Sequence, residues 1–191
     1  MKTLSDILQP KMRVLFVGTN PGKRSARIGH YFAGKTNMFW RLLYESKLTK
    51  EPLRTELDYR VQRYGYGLTD VIKRPTASTT QLKRNDGNGA KKRLDKIIRK
   101  YNPQVVAFVG KAGFRYYLEN NNMILKYGPQ KSRISNSRIF LIPSSSGASF
   151  ADTSYKQKLF WYTFLRKYVE TIENETDDSK SIVVLDPIES R

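Results

Sequence analysis

"RVLFVGTNPGK", Arg13 to Lys23, opens with a short, continuous apolar run that ends in glycine. An apolar run without polar alternation reads as a strand buried on both faces, the kind found in a parallel sheet. Asn20-Pro21-Gly22 then turns the chain. Further on, "TNMFWRLLYES" puts Phe39, Leu42 and Leu43 on one helical face, with Thr36 as the candidate cap. Strand, loop and helix in that order make a βα unit. Its loop lies at the C-terminal edge of the strand, where open α/β sheets bind their ligands.

The same grammar recurs down the chain. A helix is expected from about Ala90 to Tyr101, with Leu94, Ile97, Ile98 and Tyr101 inward. Val105–Val109 is a second buried strand, and "KAGFRYYLEN" reads as helical. "SRIFLIP" is a third strand, stopped by Pro143. An amphipathic helix, about Tyr155–Ile172, turns Leu159, Tyr162, Leu165 and Val169 inward. Residues 47–88 are less regular: "YGYGLTDVIKRPTAS" holds a short apolar element, and "KRNDGNG" reads as a surface loop. The order predicts an α/β fold, a three-layer α/β/α sandwich with a mostly parallel central sheet. One domain is expected over 1–172, followed by an acidic tail, 173–191, expected to be flexible.

Composition removes several function classes. The chain of 191 residues has no cysteine and one histidine. A disulfide framework, an iron–sulfur cluster and thiolate or histidine-rich metal sites are therefore out of reach, and no cofactor or metal is expected. "MKTLSDILQPKMRVLF" does not read as a signal peptide, and no apolar run approaches the ~18 residues of a membrane span. An intracellular protein is expected: cytoplasm or nucleoid in a prokaryote, nucleus in a eukaryote. The net charge is +18, from 35 Lys+Arg against 17 Asp+Glu. Seven of the acidic residues and only two of the basic ones lie in 170–191, so the body of the chain is more basic still. Such a body is expected to bind a polyanion, most naturally nucleic acid, by releasing counterions from phosphates. A supercharged surface or an anionic membrane face would share that charge.

The loops narrow the chemistry. "GTNPGK" has too few residues between its glycines for a Walker loop, and GxGxxG is absent, so nucleotide hydrolysis and dinucleotide binding are poor readings. A serine triad would need His30, and there is no GxSxG elbow. After Asn20 the next carboxylate in sequence is Glu45, inside the predicted helix. The loop is thus expected to lack an acidic general base. Asn20, stiffened by Pro21 and freed to turn by Gly22, can orient a water but not deprotonate it. That suits a leaving group that departs early, as in N-glycosidic cleavage, where the base leaves as an anion held by backbone N–H groups. The same tripeptide also fits an ordinary Asx turn. In "GHYFAG", Tyr31 or Phe32 could stack on a nucleobase or pack in the core. "IPSSSGAS" could approach a DNA backbone or be a plain connector. Read together, the three loops describe a base-flipping site.

These motifs carry a resemblance. "GTNPG" followed by "GHYFAGKTNMFW" closely resembles the mismatch-specific uracil/thymine-DNA glycosylases, whose first motif reads G-I-N-P-G. "LTDVIKRPTAS" is similar to the family's Thr-rich middle segment. "IPSSSGAS" is similar to its second motif, N-P-S-G in bacterial members and M-P-S-S-S in vertebrate ones. The resemblance covers about Ser5 to Val169. It implies that Asn20 positions the attacking water and that backbone amides near Thr19 and Phe32 hold the base's oxygens. It further implies that Phe32 stacks on the flipped base, beside Tyr31, and that Asn37 shapes the pocket. Thr76 is a candidate for helping with the water. Pro143, Ser144, Ser145, Ser146, Gly147 and Ala148 would enter the minor groove, and Lys23, Arg24 and Arg27 are candidate phosphate contacts.

The sequence departs from the family twice. "SSSGASF" lacks both the arginine and the leucine that members use as a wedge, leaving a serine, Ala148 or Phe150 for that task. Thr19 stands where isoleucine is usual. The resemblance implies a monomeric, monofunctional glycosylase. It would excise uracil, or thymine or another damaged base, mispaired with guanine in double-stranded DNA. The competing expectations are a non-catalytic damage-binding module, a preference for hypoxanthine or etheno-adducts, and a hydrolase of similar fold acting on RNA or nucleotides.

Overall fold

In a computed structural model of the chain, which describes residues 3–120, 122–147 and 153–181, the opening apolar run forms β1 (Val14–Gly18). Every residue of β1 is buried, and its side chains divide between two cores. Val14 and Phe16 point to one core, Leu15 and Val17 to the other. The period-2 geometry of a strand makes this division, and burial on both sides accounts for the missing polar alternation. Phe16 meets Phe39 and Tyr66 edge-on, at 5.3 and 5.5 Å between ring centroids.

β1 is one strand of a five-stranded sheet in the order β2-β1-β3-β5-β4. The others are β2 (Tyr66–Asp70), β3 (Val105–Val109), β4 (Gly128–Ile134) and β5 (Ser137–Ile142). Pairs β1–β2, β1–β3 and β3–β5 are parallel, and β4 joins β5 as an antiparallel edge. The helices are α1 (Lys23–Ile28), α2 (Phe39–Glu45), α3 (Ala90–Tyr101), α4 (Lys111–Leu118) and α5 (Tyr155–Ser181). α2 and α5 cover the face of Val14 and Phe16, and α3 and α4 cover the face of Leu15 and Val17. The architecture is the expected α/β/α sandwich.

The structure amends four local expectations. The short apolar element of "YGYGLTDVIKRPTAS" is the strand β2, and β4 is a strand in a stretch to which the sequence assigns no element. Lys23–Ile28, within the stretch expected as loop between the first strand and the next helix, is a helix ended by Gly29 in the left-handed conformation. Thr36 does not cap α2; the cap residue is Met38, with no side-chain bond, and Asn37 Oδ1 just before it accepts from the Phe39 N–H at 3.0 Å. α5 runs past Ile172 to Ser181, and Glu173 at the start of the acidic segment pairs with Arg13 at 2.5 and 2.7 Å. Ala148, Phe150 and residues 182–191 lie outside the described residues. Among those described, no helix is long and apolar enough to cross a membrane.

Candidate active site

The parallel register brings the C-terminal ends of β1 and β2 level, Gly18 beside Asp70. The two chains that leave these ends stay bonded to each other. Val71 and Ile72 donate their N–H groups to Gly18 O and Thr19 O, both at 2.9 Å. Thr76 N–H reaches Pro21 O and Lys23 N–H reaches Thr76 O, each at 3.1 Å. The Asn-Pro-Gly loop is therefore a two-layered, hydrogen-bonded unit rather than a free turn.

That unit fixes the Asn20 amide. Its Nδ2 faces three acceptors: Thr76 Oγ1 at 2.8 Å, and Pro21 O and Arg74 O at 3.1 Å each. An oxygen in that position would face only acceptors, so the amide has one orientation and Oδ1 is left for a ligand. Thr76 is buried, and its hydroxyl donates to Ser78 O at 2.8 Å while accepting from Asn20. Its lone hydroxyl proton is thus committed, so toward Asn20 it acts as an acceptor.

The aromatic pair divides. Tyr31 is buried, its N–H held by Asp58 Oδ2 at 2.8 Å and its hydroxyl directed at Asp6. Burial first, then the Asp70 and Asp6 charges, pushes the Tyr31 hydroxyl pKa up. Phe32 takes a left-handed φ of 52°, unusual for a bulky residue and costing about 1–2 kcal/mol. Neighbouring bonds impose it: Ser25 Oγ accepts from Ala33 N–H, and Arg24 Nε donates to Ala33 O at 2.8 Å. The ring stacks on Phe39, centroids 3.8 Å apart and planes 18° from parallel. Phe39 covers one face, and the half-buried ring lines the cleft. His30 pairs with the buried Asp58 at 3.1 Å and does not line the cleft.

The opposite wall is the loop after β5. Ser145 is buried and its carbonyl accepts from Met38 N–H at 2.8 Å. Lys158, fully buried on α5, donates to Ser146 O at 3.1 Å. Gly147 packs so tightly on Thr36 that a Cβ there would collide with it. Together the walls enclose a cleft of about 680 Å³. Thr19, Asn20, Tyr31, Phe32, Asn37, Thr76 and Ser144 to Ser146 all line it; Pro143 and Gly147 flank it. Lys23, Arg24 and Arg27 are exposed on α1, outside the lining.

Four residues of this region were not found from the sequence. Lys111 and Arg115 bring positive charge to the cleft from α4. Lys158 falls on the inner stripe of α5 with Tyr162, Leu165 and Val169, so its helical spacing was the available signal. The fourth overturns an expectation. The site does hold a carboxylate: Asp70, fifty residues from Asn20 in sequence, lines the cleft. It is 3% exposed, and its pKa is pushed up to about 7 by burial, against the opposing pull of Lys73 and Arg93. A Cβ at Gly18 would meet Asp70 Oδ1, so the carboxyl lies directly against the glycine and would have to shift for any larger residue. Among the described residues no group of three or more His, Asp or Glu side chains is placed to hold a metal ion.

The model of the uracil DNA glycosylase superfamily matches residues 5–167 of this chain. A solution NMR structure of a candidate uracil DNA glycosylase from Methanosarcina acetivorans superposes on it with a TM-score of 0.58. The match covers 88% of this chain and 98% of the other, at 19% sequence identity, and speaks to the shared fold.

Proposed function

The chain belongs to the uracil DNA glycosylase superfamily, and from that premise we propose that it hydrolyses the N-glycosidic bond of uracil mispaired with guanine in double-stranded DNA. Thymine and other damaged bases are the alternative substrates. The reading rests above all on the Asn20 amide, which three acceptors orient so that Oδ1 is left for a water.

In this account the damaged nucleotide flips into the cleft and its base lies on the open face of Phe32. Tyr31 supports that ring from the core, and Asn37 supports it through the Phe39 N–H at the start of α2. The C1′–N bond lengthens and its electron pair moves onto the base. Backbone N–H groups near Thr19 and Phe32 hold the base's oxygens as negative charge develops there. Water held by Asn20 Oδ1 adds to the cationic sugar late and loses its proton to solvent, so Asn20 has no proton to accept. Pro143 to Gly147, with Ala148 beyond the described residues, enter the minor groove. Lys23, Arg24 and Arg27, joined by Lys111 and Arg115, contact phosphates. The chemistry is monofunctional. The lysine lining the cleft, Lys111, holds its ammonium 4.7 Å from the centre of the Tyr127 ring, where a nucleophilic amine would be unsuited.

Asn20→Ala tests this assignment. Single-turnover release of uracil is expected to fall at least about a hundredfold, the order of loss when a reacting group is misplaced, with DNA affinity kept. An undiminished rate would remove Asn20 from the mechanism.

A further inference from the structure

Asp70 is the only acidic residue lining the cleft among the described residues, and the mechanism above gives it no work. Its environment is unusual for a carboxyl group. Oδ2 is buried with no hydrogen-bond partner. Oδ1 and the tip of the Phe32 ring both lie against the same side of Gly18. Nearby cations are engaged elsewhere. Lys73 and Arg93 both pair with Asp6, at 2.7 and 3.3 Å, and Arg93 donates to the main-chain oxygen of Asp70, not to its carboxyl. Thr69 and Tyr31 also direct their hydroxyls at Asp6. The charged and titratable groups around Asp70 are thus Asp6 from the N-terminal segment, Lys73 after β2, Arg93 on α3 and Tyr31 before α2. None forms a hydrogen bond to its side chain.

We propose that Asp70 acts as a neutral carboxylic acid, donating a hydrogen bond to a carbonyl oxygen of the flipped base as that base departs. The inference rests on the glycosylase reading and names the part of the site that meets the leaving group. A base that leaves as an anion could not depart easily beside a buried carboxylate, because like charges in a poorly solvated site repel strongly. With its proton in place the same group becomes a donor aimed where negative charge develops. Burial alone raises a carboxyl pKa in an apolar site, and a neutral Asp acting as a donor at neutral pH is physically sound. The ligand class follows: a base with a ring carbonyl at this edge. No bond to Asp70 forms or breaks, and its proton stays on the carboxyl.

The sign of the pH dependence separates this role from that of a general base. Asp70 is pushed up to about 7, so its neutral form dominates below that pH and is lost above it. Single-turnover uracil release would be measured from pH 5.5 to 9 with saturating enzyme, for wild type, Asp70→Asn and Asp70→Ala. The wild-type rate is expected to fall as pH rises through about 7. Asp70→Asn keeps a donor that does not titrate, so its rate should be several-fold lower at pH 6 yet flat across the range. Asp70→Ala should lose about a hundredfold at pH 6.

A wild-type rate that rises through pH 7, with Asp70→Asn as impaired as Asp70→Ala, would make Asp70 a base and overturn the proposal. Equal rates in all three proteins would overturn it too. Absence of release by the wild type at every pH would instead remove the glycosylase reading, and the proposal with it.

Discussion

The two loops facing each other across the cleft are held in different ways. The loop after β1 is bonded along its length to the segment after β2, and its Asn20 amide is fixed by three acceptors. Among its described residues, the loop after β5 is held by Met38 N–H at Ser145 and by Lys158 at Ser146. A group that must place a reacting water benefits from the first arrangement, since small displacements cost rate. A segment that must grip a helical polyanion works through many weaker contacts spread along its surface. On the proposed mechanism the difference predicts a division of labour, in which the first loop would govern rate and the second affinity.

Two substitutions separate rate from affinity. The larger effect is expected from Thr76→Val, which keeps the shape but removes one of the three acceptors of the Asn20 amide. Losing one such bond is worth about 1.4 kcal/mol, so single-turnover release should fall about tenfold. Filter or anisotropy binding should give the wild-type Kd. The smaller effect is expected from Lys158→Met, which fills the same space without the charged donor to Ser146 O. Here DNA affinity should fall about threefold, under 1 kcal/mol, while the rate at saturating enzyme holds. A slowed rate with unchanged affinity for Lys158→Met would show that both loops place reacting groups.

The sheet was legible where burial is uniform. β1 and β3 are unbroken apolar runs, short and ended by glycine, and those flanks mark them as buried strands. β2 was harder, because Tyr66–Asp70 mixes a glycine, a threonine and an acid although all five residues are buried. β4 hid for the opposite reason: as an edge strand it exposes Lys131, Ser132 and Arg133 and shows no apolar face. α1 is six residues long, with no acidic residue in its first turn and no side-chain cap, so no start signal marked it.

The candidate site was legible where its residues are close in sequence. Asn20, Phe32 and Asn37 fall within one βα unit, and their neighbourhood follows from it. Asp70 was not, because only the parallel pairing of β1 with β2 brings it to Gly18. A linear search for a carboxylate near Asn20 passes over it. The burial of Tyr31 was also beyond sequence reading, because it depends on Asp58 and Asp6, more than twenty residues away on either side.

The measurement that bears most directly on the central claim is the product itself. Duplexes carrying uracil opposite guanine, uracil opposite adenine and thymine opposite guanine would be incubated with excess protein. Released base would be identified chromatographically, and the strand examined before and after alkali. Free uracil is expected from the uracil–guanine duplex, with a strand that stays whole until alkali breaks it at the abasic site. Tight binding with no free base from any duplex would contradict the central claim and leave a protein that recognises damaged DNA without cutting the glycosidic bond.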